Sequence, residues 1–286
     1  MTFLDIVWNA IQIDWRGILI MALIFIPLEQ IIPLHAEQKT TRKAWANDVF
    51  YLLFNGIPIK LCFMMIMIAA MATTDAVIPQ SFHAAVTSQP LWLQVIEVTI
   101  IADIGFYLAH RTFHAVPWLW RFHSVHHSIE EMDFLAAHRI HPVDQIITLI
   151  ASLLPVYAMG FSPMAVAVHA LIFHWQSLMI HSNIKLDFGP LKWLVASPHF
   201  HHWHHANEKH AYDKNFAAQL PFIDAIAGTL LMPTRAPLAY GCDDPVPELY
   251  HQQMLYPLLP LLPNGKDATT ATSDQTAPQI PGAQQV

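Results

Sequence analysis

The sequence predicts an all-α, multi-pass helical membrane protein with a histidine-rich helical cap on its cytoplasmic face. Three observations predict it. Hydrophobic residues make up 54% of the 286-residue chain and charged residues 12%, where a soluble domain carries about 25% charged residues. The apolar residues fall in runs close to the ~20 residues that cross a hydrocarbon core. Of the 19 histidines, 16 lie between His110 and His210, and histidine beside a membrane is costly unless it is partnered or ligating.

The first apolar run covers roughly 18–34, the second 49–71 and the third 91–108. Pro27, Pro33 and Pro58 are expected to kink or end these helices. A fourth run, 143–180, is interrupted by Pro155, Gly160 and Pro163, which predicts two helices meeting at a turn around 159–163. Three units are expected: N-terminal membrane helices over 1–90, a histidine-bearing domain over 91–250 that includes the third span and the hairpin, and a disordered Thr-, Ala-, Gln- and Pro-rich tail over 263–286. No basic start with a small-residue cleavage site occurs, so no signal peptide is expected. Cys62 and Cys242 make neither a disulfide framework nor a CxxC site. A net charge of -7 gives no reason to expect nucleic-acid binding.

Loop charge sets the expected orientation. Lys39, Arg42 and Lys43 follow the first run, no Lys or Arg lies in 72–90, and Arg111, Arg121 and Arg139 follow the third. Positive loops stay cytoplasmic, which places the histidines on that face. The hairpin then returns His181 beside the 110–141 region.

Four histidine clusters carry the chemistry. His110 and His114 stand at i, i+4 on one helical face. His123, His126 and His127 form HxxHH, and the adjacent pair diverges enough to serve two neighbouring metals. His181 emerges where the apolar run ends; His174, seven residues earlier, is either a further ligand or a buried hydrogen-bonded residue. His201, His204 and His205 repeat HxxHH, with His199 and His202 outside the pattern and placed at the surface or in support.

One structural zinc needs four ligands. Nine histidines exceed that and suit two metals with about four or five each. Imidazole suits zinc, copper, iron and nickel alike. Asp103, seven residues before His110, is expected to orient a ligating imidazole, and Tyr107 shares its face. His138, His141 and Asp144 are expected to line the entrance to the site; His141 is a candidate ligand, helix start or supporting residue.

With these residues the chain resembles the fatty acid hydroxylase/sterol desaturase superfamily. The resemblance rests on Asp103-x-x-x-Tyr107-x-x-His110-Arg111-x-x-His114, on His123-x-x-His126-His127 and on Arg139-x-His141-Pro142. It continues in His181-Ser182-Asn183, in Ser197-Pro198-x-x-His201-x-x-His204-His205, and in part in Asn215-Phe216, Asp224 and Gly228-Thr229. Two departures stand out. Ser177 occupies a position where some members carry another histidine, and Ala217 replaces a glycine. The first leaves open whether His138, His141 or His174 completes the ligand set.

The resemblance implies two iron ions held by the nine histidines, O2 as co-substrate, and a membrane lipid such as a fatty-acyl chain or sterol as the species hydroxylated or desaturated. No flavin, nicotinamide or cytochrome motif is evident, so it implies a separate reductase, ferredoxin or cytochrome b5-like donor. The expected location is the inner membrane of a bacterium or the endoplasmic reticulum of a eukaryote. Two other classes compete. A zinc hydrolase would need a carboxylate base on the motif spacing, as in HExxH, and none occurs. A membrane haem or metal-transport protein would pair histidines inside several spans.

Overall fold

The computed structural model describes residues 14–56, 59–62, 64–65, 74 and 77–259. The later part of the expected second span and the expected tail at 263–286 lie outside the described residues.

Helix α1 (Trp15–Ile31) opens on Asp14, whose carboxylate accepts from Gly17 N–H at 3.0 Å, and contains Pro27 without ending there. It stops before Pro33, which cannot continue a helix. Helix α2 (Trp45–Phe50) passes into a π-helical turn, Tyr51–Asn55. A short α3 (Gln80–Thr87) lies in the expected second loop. Helix α4 (Leu91–Ala115) is longer than the expected third span: one unbroken helix carries both the apolar run and the pair His110/His114.

Four later helices begin with proline as their first residue: α5 (Pro117–His127), α6 (Pro142–Met159), α7 (Pro163–His181) and α8 (Pro198–His204). Proline is suited to that position because its fixed φ is already helical and its missing N–H had no partner there. The α6–α7 hairpin turns at Gly160, which adopts φ 77, and Ser162 then caps α7 by accepting from Ala165 N–H. This is the turn that Gly160 and Pro163 predict. Among the described residues, α4, α6 and α7 are long and apolar enough to cross a membrane.

α4 packs against α6 and α7. The α4–α6 crossing is tight at Gly105, where a Cβ would collide with the backbone of Ala151 and Ser152. Val98, Ala102, Val156, Ala165 and Val166 fill the core on this side. Met21 and Phe25 of α1 pack with Phe134, Leu135 and Leu178 on the other. Leu108, Leu171 and Ile172 point outward and are exposed, as lipid-facing side chains would be.

The cap holds α5, a 3₁₀ turn (Phe134–His138), α8, α9 (Phe222–Ala227) and α10 (Tyr250–Leu255). Asn215, at φ 58, bonds Phe200 O, Leu231 O and Leu231 N–H. Asp224 accepts from the N–H groups of Phe216 and Ala217 and from Thr229 Oγ1. These contacts knot the segment after α8 beneath the histidines. Among the described non-glycine residues only Asp213 and Asn215 have positive φ, so Ala217 takes a backbone that needs no glycine.

Candidate metal centre

The nine candidate histidines form two adjoining groups. His110, His114, His123, His127 and His204 make one, and His126, His181, His201 and His205 the other; within each, one ligand nitrogen per residue lies within 4.8 Å of the rest. Helix α4 supplies His110 and His114, one turn apart. Helix α5 sends His123 and His127 to the first group and His126 to the second. Helix α8 and its C-cap send His204 to the first and His201 and His205 to the second. His181 ends α7. Each sequential pair, His126/His127 and His204/His205, is thus split between the groups, whose rings touch where His127 stacks on His205 at 4.7 Å.

In six of the nine rings the outward nitrogen faces an oxygen, whereas Nδ1 of His201 and of His205 are buried without a hydrogen-bond partner. Nδ1 of His110 donates to Phe216 O at 2.7 Å, that of His126 to Arg139 O at 2.9 Å, that of His181 to Ser177 O at 2.7 Å and that of His204 to Lys214 O at 2.8 Å. His123 Nδ1 meets the Asp144 carboxylate at 2.7 Å, and His114 Nδ1 lies 3.4 Å from Asp213. A carbonyl can only accept, so in those four rings the proton sits on Nδ1 and the Nε2 lone pair faces inward. His181 Nε2 and His126 Nε2 then stand 3.2 Å apart as two acceptors with no proton between them. His114 Nε2 and His204 Nε2 are buried with no hydrogen-bond partner.

Such a set calls for a cation. Protons are poorly placed to supply it. Burial first, then the neighbouring imidazoles, holds His123, His126, His127, His201, His204 and His205 well below 6.5. Neutral imidazoles with their second nitrogen tied to oxygen are the form that binds metal. The two clusters are suited to a dimetal site.

A cavity of about 560 Å³ opens between α4, α6 and α7 and reaches both groups, touching His110 and His123 of one and His126 and His201 of the other. Its walls are largely apolar, with Ala102, Phe106, Leu149, Leu153, Phe173 and Leu178 among them.

Residues 95–229 match the fatty acid hydroxylase family. Through this segment the chain is similar to that family. The ornithine lipid hydroxylase OlsE of Rhizobium tropici is 32% identical over 151 residues, which cover 51% of this chain and 44% of OlsE. The alkylglycerol monooxygenase of Homo sapiens is 32% identical over 144 residues, 50% of this chain and 32% of that protein. A putative methylsterol monooxygenase of Dictyostelium discoideum is 26% identical over 198 residues, 67% of this chain and 71% of that one. The matches thus span less than half the length of the first two relatives. No solved structure matches the chain.

Within the matched segment, several supporting residues stand elsewhere than their spacing suggests. Asp103 bonds no histidine. It accepts from the N–H groups of Ala218, Gln219 and Leu220, because two helical turns, about 10.5 Å, separate it from His110 along the face they share. Tyr107 OH meets Thr229 and receives Arg111, while its ring packs on Phe216, whose carbonyl accepts from His110. Asn183 turns away with the extended backbone after α7 and clasps the backbone of His35. His141 caps α6, its Nδ1 accepting from Val143 N–H, and joins neither histidine group. His174 and His138 also join neither group and line the cavity. His202, expected at the surface or in support, is fully buried between Tyr240 OH and Ser182 O. His199 bonds Pro233 O.

Sequence reasoning missed the ion network behind the centre. Asp48 pairs with Arg139 and Arg42, and Arg42 reaches Asp133, all nearly unexposed. Arg42 and Arg139 therefore count as paired buried cations, not only as loop charges. Asp144 was within the 138–144 segment expected at the entrance, yet its carboxylate touches a candidate ligand directly.

Proposed function

We propose that this chain is a membrane di-iron oxygenase that uses O2 and externally supplied electrons to hydroxylate or desaturate a lipid. One observation carries the reading: an apolar cavity between membrane-length helices ends on histidines from both groups. A lipid lying in that cavity brings a C–H bond to the centre without leaving an apolar environment. The relatives, an ornithine lipid hydroxylase and an alkylglycerol monooxygenase, support a lipid substrate.

In this reading the nine histidines hold two iron ions. The ions, when bound, supply O2 activation and removal of hydrogen from an unactivated carbon. The chain does the rest. Carbonyls of Phe216, Arg139, Ser177 and Lys214, with Asp144, fix the rings before metal binds. Phe106 packs beside His110 and at 6.0 Å from Phe173, which gives the cavity an apolar wall next to the histidines. Electrons come from a separate reductase, ferredoxin or cytochrome b5-like protein. The centre faces the cytoplasm, at the inner membrane in a bacterium or the endoplasmic reticulum in a eukaryote. A hydrolase would need a carboxylate free to serve as base, whereas Asp144 and Asp213 are engaged with Nδ1 atoms.

The test is metal analysis and turnover of the purified protein, paired with lipid profiling of a deletion strain. About two irons per chain and an O2-dependent lipid product are expected. One metal per chain, or product formed without O2, would falsify the reading.

A further inference from the structure

The cavity continues past the histidine groups into the apolar bundle, where one more histidine lines it. His169 lies on α7 twelve residues before His181, about 18 Å along the helix at 1.5 Å per residue. It is 3% exposed, belongs to neither group and contributes to the cavity wall. A histidine this deep in a span is expensive unless it has a role.

Its tautomer is set by α4. Thr99 has one hydroxyl proton, and Val95 O, which can only accept, takes it at 2.8 Å. The 3.2 Å contact between Thr99 Oγ1 and His169 Nδ1 therefore has Nδ1 as the donor. Nε2 is left with a lone pair, and among the described residues nothing donates to it. Ser152, 8% exposed, lines the same cavity and its hydroxyl likewise makes no hydrogen bond among the described residues. An acceptor held ready in an apolar wall stays costly until a donor arrives.

We propose that His169 Nε2 is a polar anchor that accepts a hydrogen bond from a hydroxyl group of the lipid substrate. The proposal rests on the lipid oxygenase reading and narrows it to lipids bearing a hydroxyl on an otherwise apolar body. The hydroxyl lies deep between α4 and α7, and the apolar body runs past Phe106 and Phe173 toward His110 and His126. The span from His169 to the centre, about 18 Å, then selects which carbon is presented. Thr99 acts through His169 as a positioning residue.

The test is equilibrium binding of radiolabelled hexadecanol and of its methyl ether to the full chain in nanodiscs, with no turnover involved. The ether can accept but cannot donate. Wild type is expected to hold the alcohol about tenfold more tightly than the ether, the worth of one such bond. His169→Phe and Thr99→Val are expected to bring that ratio to about one, and His169→Gln, which restores an acceptor, to recover part of it. Equal affinity of wild type for both probes overturns the anchor and leaves the lipid reading standing. An unchanged ratio in His169→Phe does the same. Failure of wild type to bind either probe overturns the lipid cavity itself.

Discussion

At the scale of single residues, the centre is a problem of pointing. An imidazole is a better ligand when its other nitrogen is hydrogen-bonded and its ring is held in place. Here backbone carbonyls hold four of the nine rings, and the Asp144 carboxyl holds that of His123. Replacing Asp144 by Asn keeps the shape and removes the carboxyl group. Metal affinity measured by competition with a chelator is expected to fall about 10- to 100-fold, and unchanged affinity would show that the carboxylate only fills space. His126→Ala and His204→Ala each remove an inward lone pair from a different group. Each is expected to abolish turnover and lower bound metal while membrane insertion stays intact; normal turnover in either variant contradicts the ligand assignment.

At the scale of elements, the centre depends on how α2 is tied to the 134–139 turn. Asp48 is 0% exposed and sits between two guanidiniums, with Arg139 Nη2 at 2.9 Å. Arg139 also lends its carbonyl to His126. Asp48→Ala leaves Arg139 buried without a counter-charge and Arg42 with Asp133 alone. The expected loss is about 3–5 kcal/mol of stability, read from detergent-solubilised unfolding, with a parallel loss of metal. A loss under about 1 kcal/mol would mean that the network is not needed to hold the turn. The crossing at Gly105 is a second such constraint, since α4 and α6 leave no room there for a side chain.

At the scale of the whole molecule, histidine chemistry and stability are coupled. Six cap histidines have folded-state pKa values held below their ordinary 6.5 by burial and by one another. The unfolded chain therefore binds more protons than the folded one once pH drops under about 6.5, and stability falls with it. Chelator-treated protein is expected to lose melting temperature steadily from about pH 7 to pH 5. Metal-loaded protein should resist over the same interval, because the ions bind only the neutral rings. A flat profile for the metal-free protein would show that the rings titrate in the folded chain as they do in the unfolded one.

The sequence by itself determined the helical class, the hairpin break and the nine histidines. Each is a local property: run length, proline and glycine placement, and spacing along one helix. Even the division of His126/His127 and His204/His205 between two groups follows from adjacent residues diverging on a helix. Tertiary structure decided everything that needs a second element. Asp103 shares a face with His110, but periodicity cannot say that the backbone of 218–220 meets that face first. The oxygens that orient the rings are mostly backbone carbonyls, which every residue carries and no side-chain pattern marks. The pairing of Asp48 with Arg139 and of His169 with Thr99 joins residues 91 and 70 positions apart. The cavity exists only as a gap between packed elements, so its walls and its deep histidine became legible when those elements were packed.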